Sequence, residues 1–215
     1  MPFGLPGVNK AKKVSNGNYL WISYFWSYLN AKGRAGFVMS SQASSAGHGE
    51  KEVRKKIVPT GDVDLIISIR SNFFYTRTVP CELWFFDRNK PESRRDKVLM
   101  LDARNVFRKV TRKIYDFSPE QMQNLTSIVW LQDRFPAAEL QAVPGLVKLV
   151  DLKDIEAADW SLTPGRYVGV APQEVDEDFD FEQTLRDIHT ELADLDKEAL
   201  ELATKIRENF EELGV

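Results

Sequence analysis

Cysteine is all but missing from this 215-residue chain: Cys81 stands alone, which excludes an internal disulfide and fits a reducing, cytoplasmic setting. Histidine is nearly as scarce. His48 and His189 have no Cys or His beside them to complete a metal site, so no zinc centre is expected. No run approaches the roughly 18 apolar residues of a membrane span, and no basic-then-apolar leader opens the sequence. Neither a Gly-x-Gly-x-x-Gly fingerprint nor a glycine loop ending in Gly-Lys-Ser or Gly-Lys-Thr occurs. The serines at 40, 41, 44 and 45 lack His–Asp partners, so a hydrolase triad has no support.

What remains is the composition of an ordinary globular protein, 43% hydrophobic and 28% charged. The net charge of -3 hides a division. Residues 1–115 carry 21 Lys/Arg against 9 Asp/Glu, whereas residues 116–215 carry 8 against 23. A basic half suited to phosphates thus precedes an acidic half that would avoid them, although two solvated faces of opposite sign explain the same counts.

Residues 1–18 read as loop, being rich in Gly, Pro and Lys. Asn16 or Asn18 caps an aromatic helix over Tyr19–Leu29, with Gly33 suited to the left-handed residue after it. Short apolar runs at Ala35–Ser40, Val63–Ile69, Cys81–Phe86 and Val98–Leu101 read as strands, and Glu50–Val58 as a short helix between the first two. This alternation predicts an α/β sheet. Phe107–Phe117 is basic and shows no clear pattern. Ser118-Pro119-Glu120-Gln121 starts a helix to about Leu131, and residues 134–175 read as irregular, with a short strand near Leu146–Val150.

The tail is patterned most clearly. Phe181, Leu185, Ile188, Leu192, Leu195, Ala199, Leu202 and Ile206 alternate in steps of four and three, a heptad seam over more than three repeats. A helix over residues 180–213 would be roughly 50 Å long, too long to bury that seam against one small domain. It calls for a partner helix.

For chemistry, Phe73-Phe74-Tyr75-Thr76 followed by Arg77 is the candidate segment. An enzyme that modifies a base in duplex DNA must extrude it and hold it against flat apolar surfaces, with cations on nearby phosphates. Aromatics filling a local core are the competing explanation, and the more frequent one. Pro80-Cys81 has the look of a nucleophilic cysteine, but Cys81 opens the apolar strand Glu82-Leu83-Trp84-Phe85-Phe86 and reads as a buried structural thiol. Arg94, Arg95 and Lys97, and the set Arg104, Arg108, Lys109, Arg112 and Lys113, could meet a DNA backbone or simply decorate turns.

Several pieces, in order, resemble the modification subunit of type I restriction enzymes, a DNA adenine-N6 methyltransferase family. Pro2-Phe3-Gly4-Leu5-Pro6 resembles the loop after its catalytic motif, Asn18-Tyr19-Leu20-Trp21 the next helix and Gly33–Ser40 its fifth strand. Glu50–Lys56 resembles the following helix, and Phe73–Phe86 the sixth-to-seventh strand segment. Leu101-Asp102-Ala103-Arg104, Asp116–Gln121 and Leu162–Val168 extend the match. The resemblance implies S-adenosylmethionine as methyl donor, DNA as substrate, and a complex with specificity and restriction subunits. It implies that Phe73, Phe74, Tyr75 and Arg77 serve the target base. It also implies that the helix bearing Leu185, Ile188, Leu192, Leu195, Leu202 and Ile206 packs on the specificity subunit.

The departures are as informative. The glycine-rich cofactor motif and the Asn-Pro-Pro-Phe tetrapeptide are absent, and the chain contains no Asn-Pro or Asp-Pro dipeptide. The expectation is therefore a partial, Rossmann-like class I methyltransferase sheet lacking its N-terminal strands, then a small α-rich region and a long coiled-coil helix. The segments are residues 1–117, 118–175 and 176–215. No catalytic residue and no metal ligand is expected in this chain, and alone it should neither bind S-adenosylmethionine nor transfer methyl groups. The missing neighbour of Ala35–Ser40 should leave that strand as a bare edge. Two other readings stay open: a non-catalytic truncated module that binds DNA or the specificity subunit, and an unrelated basic α/β domain with a coiled-coil dimerisation tail.

Overall fold

The computed structural model describes residues 1–8, 10, 13–14, 16–74, 78–134, 140–171 and 181–212. The chain forms two compact units, Met1–Pro172 and Gln173–Val215.

In the first unit, helix α1 (Asn18–Ser27) precedes strand β1 (Arg34–Ser40), helix α2 (His48–Ile57), and strands β2 (Val63–Ile69), β3 (Cys81–Asp87) and β4 (Lys97–Asp102). A small hairpin, β5 (Arg108–Thr111) and β6 (Ile114–Asp116), leads to helix α3 (Pro119–Arg134), strand β7 (Val147–Asp151) and helix α4 (Leu152–Ala157). The main sheet has the order β1-β3-β2-β4-β7. β3 runs antiparallel to both β1 and β2, β2 and β4 are parallel, and β7 is antiparallel to β4. Hence β1, β2 and β4 all point the same way.

Each sheet face has its own core. Ile66, Trp84, Phe86, Val98, Met100 and Val150 pack with Tyr19 and Ile22 of α1, Val53 and Ile57 of α2 and Ile155 of α4. Leu65, Ile67, Ile69, Leu99 and Leu101 pack on the opposite face with Leu125 of α3. β2 is buried along its whole length, as its near-continuous Ile/Val/Leu run requires of a central strand. The expected α/β sheet is present.

β1 is an edge. It pairs with β3 in full register, Arg34 to Asp87 through Ser40 to Cys81, and with no other strand among the described residues. Gly36 lies opposite Phe85, where a Cβ would come 2.8 Å from the ring, so only glycine lets the two strands close.

Some local expectations change. Gly33 has no positive φ; its place is set by crowding, since a Cβ there would lie 3.1 Å from the Asn30 nitrogen. Gly17 occupies the position before α1, and Asn16 Oδ1 accepts the Asn18 N–H at 2.9 Å. The helix start at Ser118 is as expected. Ser118 Oγ accepts the Gln121 N–H and Gln121 Oε1 accepts the Ser118 N–H, a reciprocal capping box. Phe107–Phe117, patternless as a sequence, forms the β5–β6 hairpin, and in the 134–175 stretch the expected short strand, β7, is followed by an unforeseen helix, α4.

The second unit is helix α5 (Phe181–Glu212), 32 residues and about 48 Å long. Leu185, Ile188, Leu192, Leu195, Leu202 and Ile206 are each between 47% and 56% exposed along it.

Candidate functional site at the carboxyl ends of the parallel strands

In open α/β sheets, ligands bind beyond the carboxyl ends of the parallel strands, because the loops there are free of the packing that fixes the sheet. At that rim lie the segments after Ser40, Ile69 and Asp102. Phe73 and Phe74 are both in the middle one.

The two aromatics play different parts. Phe73 is half-buried and its ring lies against Phe117, centroids 4.6 Å apart. Phe74 is 41% exposed. The chain turns between Arg70 and Phe73 through Asn72, whose φ of +68° is tolerated by asparagine better than by most residues. Tyr75, Thr76 and Arg77 lie outside the described residues.

Arg70 is fixed by aromatics. Its guanidinium carbon lies 3.8 Å from the Phe107 ring centroid and 4.3 Å from that of Tyr115. Tyr115 N–H donates to the Asn72 carbonyl at 3.0 Å, and Gln121 Nε2 to the Phe107 carbonyl at 3.1 Å. The hairpin base, the start of α3 and the Arg70–Phe74 segment are thereby one assembly. After β4, Asp102 holds Arg104 through Nε at 2.8 Å and Nη2 at 2.5 Å, with the guanidinium pressed against Gly165.

Beneath the rim is a buried polar group that the sequence reading passed over. Glu82 is 1% exposed. It accepts from Ser44 Oγ at 2.8 Å, Ser68 Oγ at 3.4 Å and Trp84 Nε1 at 3.3 Å. Burial pushes its carboxyl up to about 7, against the lowering effect of those three donors. Ser44 in turn contacts Thr163 Oγ1 at 3.0 Å, tying the segment after β1 to the 161–168 segment. The signal was a lone acid inside Cys-Glu-Leu-Trp-Phe-Phe facing a lone serine inside Leu-Ile-Ile-Ser-Ile. Cys81 is buried and its thiol is pushed up, first by desolvation and then by Glu82, as suits a structural thiol.

At the opposite end of the sheet, Arg94 is 3% exposed and shared between Asp64 at 3.7 Å and Asp133 at 3.3 Å, so it is removed from the cations offered to a DNA backbone. Lys97 pairs with Asp151. A recess of about 620 Å³, lined by Thr60, Gly61, Glu92 and Arg95 among others, is also at that end and holds no chemistry-bearing group beyond surface charges. It does not coincide with the rim, and we assign it no role.

S-adenosylmethionine needs an apolar slot for its adenine and polar groups for its ribose and amino acid. The cavity between the sheet and α3 offers apolar walls without those polar groups. The cavity of about 230 Å³ between the sheet and α3 is lined by Leu65, Ile67, Ile69, Leu83, Phe85, Phe117, Met122, Leu125 and Val129, with Thr126 as its single polar residue. Gly49, in the first turn of α2, backs onto the Pro6 carbonyl, where even a Cβ would not fit. No group of metal-ligating side chains occurs among the described residues, and no helix among them is long and apolar enough to cross a membrane.

Residues 7–177 match the family model described as N-6 DNA Methylase. The chain is 31% identical to the type I restriction enzyme MjaIX methylase subunit of Methanocaldococcus jannaschii, over 93% of its own length and 35% of that protein's. To the HindI methylase subunit of Haemophilus influenzae it is 28% identical, over 93% of this chain and 44% of that one. It thus spans well under half the length of these curated relatives. In fold it is similar to the type I restriction-modification methyltransferase subunit from Streptococcus thermophilus, with a TM-score of 0.63 at 18% identity, covering 74% of this chain and 31% of that one.

Proposed function

The chain belongs to the N-6 DNA methylase family, and on that premise we propose that it is the target-base and subunit-docking part of a type I DNA adenine-N6 methyltransferase. Its sheet is one part of a Rossmann-like methyltransferase sheet. Residues 1–117 belong to the methyltransferase domain, 118–175 extend it, and 176–215 dock a neighbouring subunit. The strands that carry the cofactor and the Asn-Pro-Pro-Phe tetrapeptide are supplied by another stretch of polypeptide.

One observation carries this reading. Among the described residues β1 ends the sheet with an unpaired edge, and α1 beside it exposes Trp21 at 61% and Tyr24 at 43%, with Tyr28 just past its end at 84%. A bare edge flanked by exposed aromatics is a liability for aggregation unless further strands and helices cover it.

Within that assembly the residues have distinct tasks. Phe74, exposed at the rim, offers a flat face to an extruded adenine, and Phe73, braced on Phe117, holds the segment in place. Tyr75 and Arg77, outside the described residues, are proposed to serve the same target base. The S-adenosylmethionine that donates the methyl group is bound elsewhere in the assembled enzyme, and no step of the transfer is assigned to this chain. Leu185, Ile188, Leu192, Leu195, Leu202 and Ile206 form the seam on which a helix of the specificity subunit packs; the restriction subunit joins the same complex, in the cytoplasm.

The test is a calorimetric titration of S-adenosylmethionine into the chain alone, together with co-purification with a specificity subunit. The expected result is no binding at micromolar concentration and a complex that is lost in Leu192→Asp. Micromolar cofactor binding would overturn the division of labour. Self-dimerisation lost in Leu192→Asp, without capture of the specificity subunit, would favour the coiled-coil dimer instead.

A further inference from the structure

We propose that the β5–β6 hairpin is a phosphate-gripping finger for duplex DNA, set beside the Phe73–Phe74 segment. The inference rests on the DNA-methylase reading above and assigns that reading a backbone-contact surface of its own.

The first ground is charge. Between Asp102 and Asp116 the chain carries Arg104, Arg108, Lys109, Arg112 and Lys113 and no carboxylate. Arg104 is held by Asp102, and Arg108 by Asp116 at 2.7 Å. Lys109, Arg112 and Lys113 are exposed and form no ion pair among the described residues. Three free cations thus crowd a hairpin of four-residue and three-residue strands.

The second ground is rigidity. A flexible basic loop needs no special base, whereas this one is anchored at three points. The Arg70 guanidinium lies against both Phe107 and Tyr115, Tyr115 N–H bonds to the Asn72 carbonyl, and Gln121 Nε2 bonds to the Phe107 carbonyl. The Arg108–Asp116 pair, opposite each other in register, clasps the two strands. Lys109, Arg112 and Lys113 are therefore presented by a preorganised ribbon, which lowers the ordering cost of binding.

The third ground is place. Asn72 and Phe73, which tie to Tyr115 and Phe117, belong to the segment proposed to meet the target base. An extruded base remains bonded to its phosphates, so cations are needed within a few nucleotides of it. A two-stranded ribbon also fits the roughly 12 Å major groove of B-DNA. An acidic protein partner would need apolar contacts that the hairpin, with Val110 as its sole exposed apolar side chain, hardly offers.

The test measures binding of a fluorescein-labelled duplex to the full chain by anisotropy across a salt series. The variants are the triple Lys109→Gln/Arg112→Gln/Lys113→Gln and a charge-matched control, Lys32→Gln/Arg95→Gln/Lys153→Gln. Three lost phosphate contacts should flatten the slope of log K against log salt by about 2.7. The wild-type advantage over the hairpin triple should then shrink roughly fortyfold between 50 and 200 mM salt. The control triple should retain the wild-type slope, and circular dichroism should report both variants folded. An unchanged slope in the hairpin triple, an equal loss in the control, or no duplex binding by the wild type would overturn the proposal. Methyl transfer in a reconstituted enzyme separates the two claims. Transfer restored by wild type with no hairpin effect on the salt slope sinks the finger alone; a hairpin effect without any restored transfer sinks the methylase reading alone.

Discussion

Phe25 stacks on Phe37, with ring centroids 4.4 Å apart and 22° between the planes. The pair fixes α1 over the edge strand, and contacts of this kind are worth about 1 kcal/mol beyond the area they bury. With Phe25 placed on the sheet, α1 turns Trp21 and Tyr24 outward, and Tyr28 follows at its end, beside the open edge of β1. The account of a chain that is completed by other strands rests on that arrangement.

The free edge should make the isolated chain self-associate. Val38, 50% exposed on β1, is the place to interrupt it. Val38→Lys is expected to shift light scattering toward the monomer while changing unfolding stability by no more than about 0.5 kcal/mol, as a surface substitution should. Association that persists unchanged would show that the edge is not the contact.

The two rim phenylalanines should separate stability from base handling. Phe73→Ala removes a half-buried ring packed on Phe117 and is expected to cost about 2 kcal/mol in urea unfolding. Phe74→Ala, exposed, is expected to leave unfolding unchanged but to reduce the fluorescence of a 2-aminopurine placed as target base in the reconstituted enzyme. Equal behaviour of the two variants in both assays would contradict the assignment.

Glu82 gives the fold a pH dependence. Its native pKa of about 7 lies above the ordinary 4.5, so the folded state binds the proton more tightly than the unfolded chain. Its contribution is therefore greatest below about pH 4.5, and is lost as the pH rises to about 7, by roughly 3 kcal/mol. Against wild type, Glu82→Gln should gain stability by about that amount between pH 4.5 and 8, read from urea midpoints. A wild-type-to-variant gap that does not move with pH would remove Glu82 from the account.

Arg54 is the other buried charge with a defined task. It is 2% exposed and donates to the Trp160 carbonyl at 2.6 Å, the Ala43 carbonyl at 3.1 Å and Tyr19 Oη at 3.0 Å. Arg54→Ala leaves buried acceptors unpaired and should destabilise the first unit by about 3 kcal/mol. Arg54→Lys, a single point donor, should recover only part of this by thermal unfolding.

Much of this was legible in the sequence, for reasons that differ by element. The strands at 34–40, 63–69, 81–87 and 97–102 announce themselves because buried sheet strands are short apolar runs between breakers. α5 is legible because its period is strict, and the Ser118–Gln121 box because a cap is a local device. The β5–β6 hairpin was not, since its residues carry charge on both strands and, besides its own Arg108–Asp116 pair, its anchors are Arg70, Asn72 and Gln121, all outside it. Arg94 misled for the same reason: a basic cluster in sequence says nothing of Asp133, which lies far along the chain and buries it. Of the candidate site, Phe73 and Phe74 were read as one unit, whereas Phe117 divides them into a brace and a free face.

The most direct test of the central claim is methyl transfer from labelled S-adenosylmethionine to duplex DNA by reconstituted components. The chain alone should incorporate no label. Mixed with a separate polypeptide carrying the glycine-rich and Asn-Pro-Pro-Phe segments of a related methylase and with its specificity subunit, it should restore N6-methyladenine, with Phe74→Ala impaired. Incorporation by the chain alone, or a mixture as active without the chain as with it, would contradict the account.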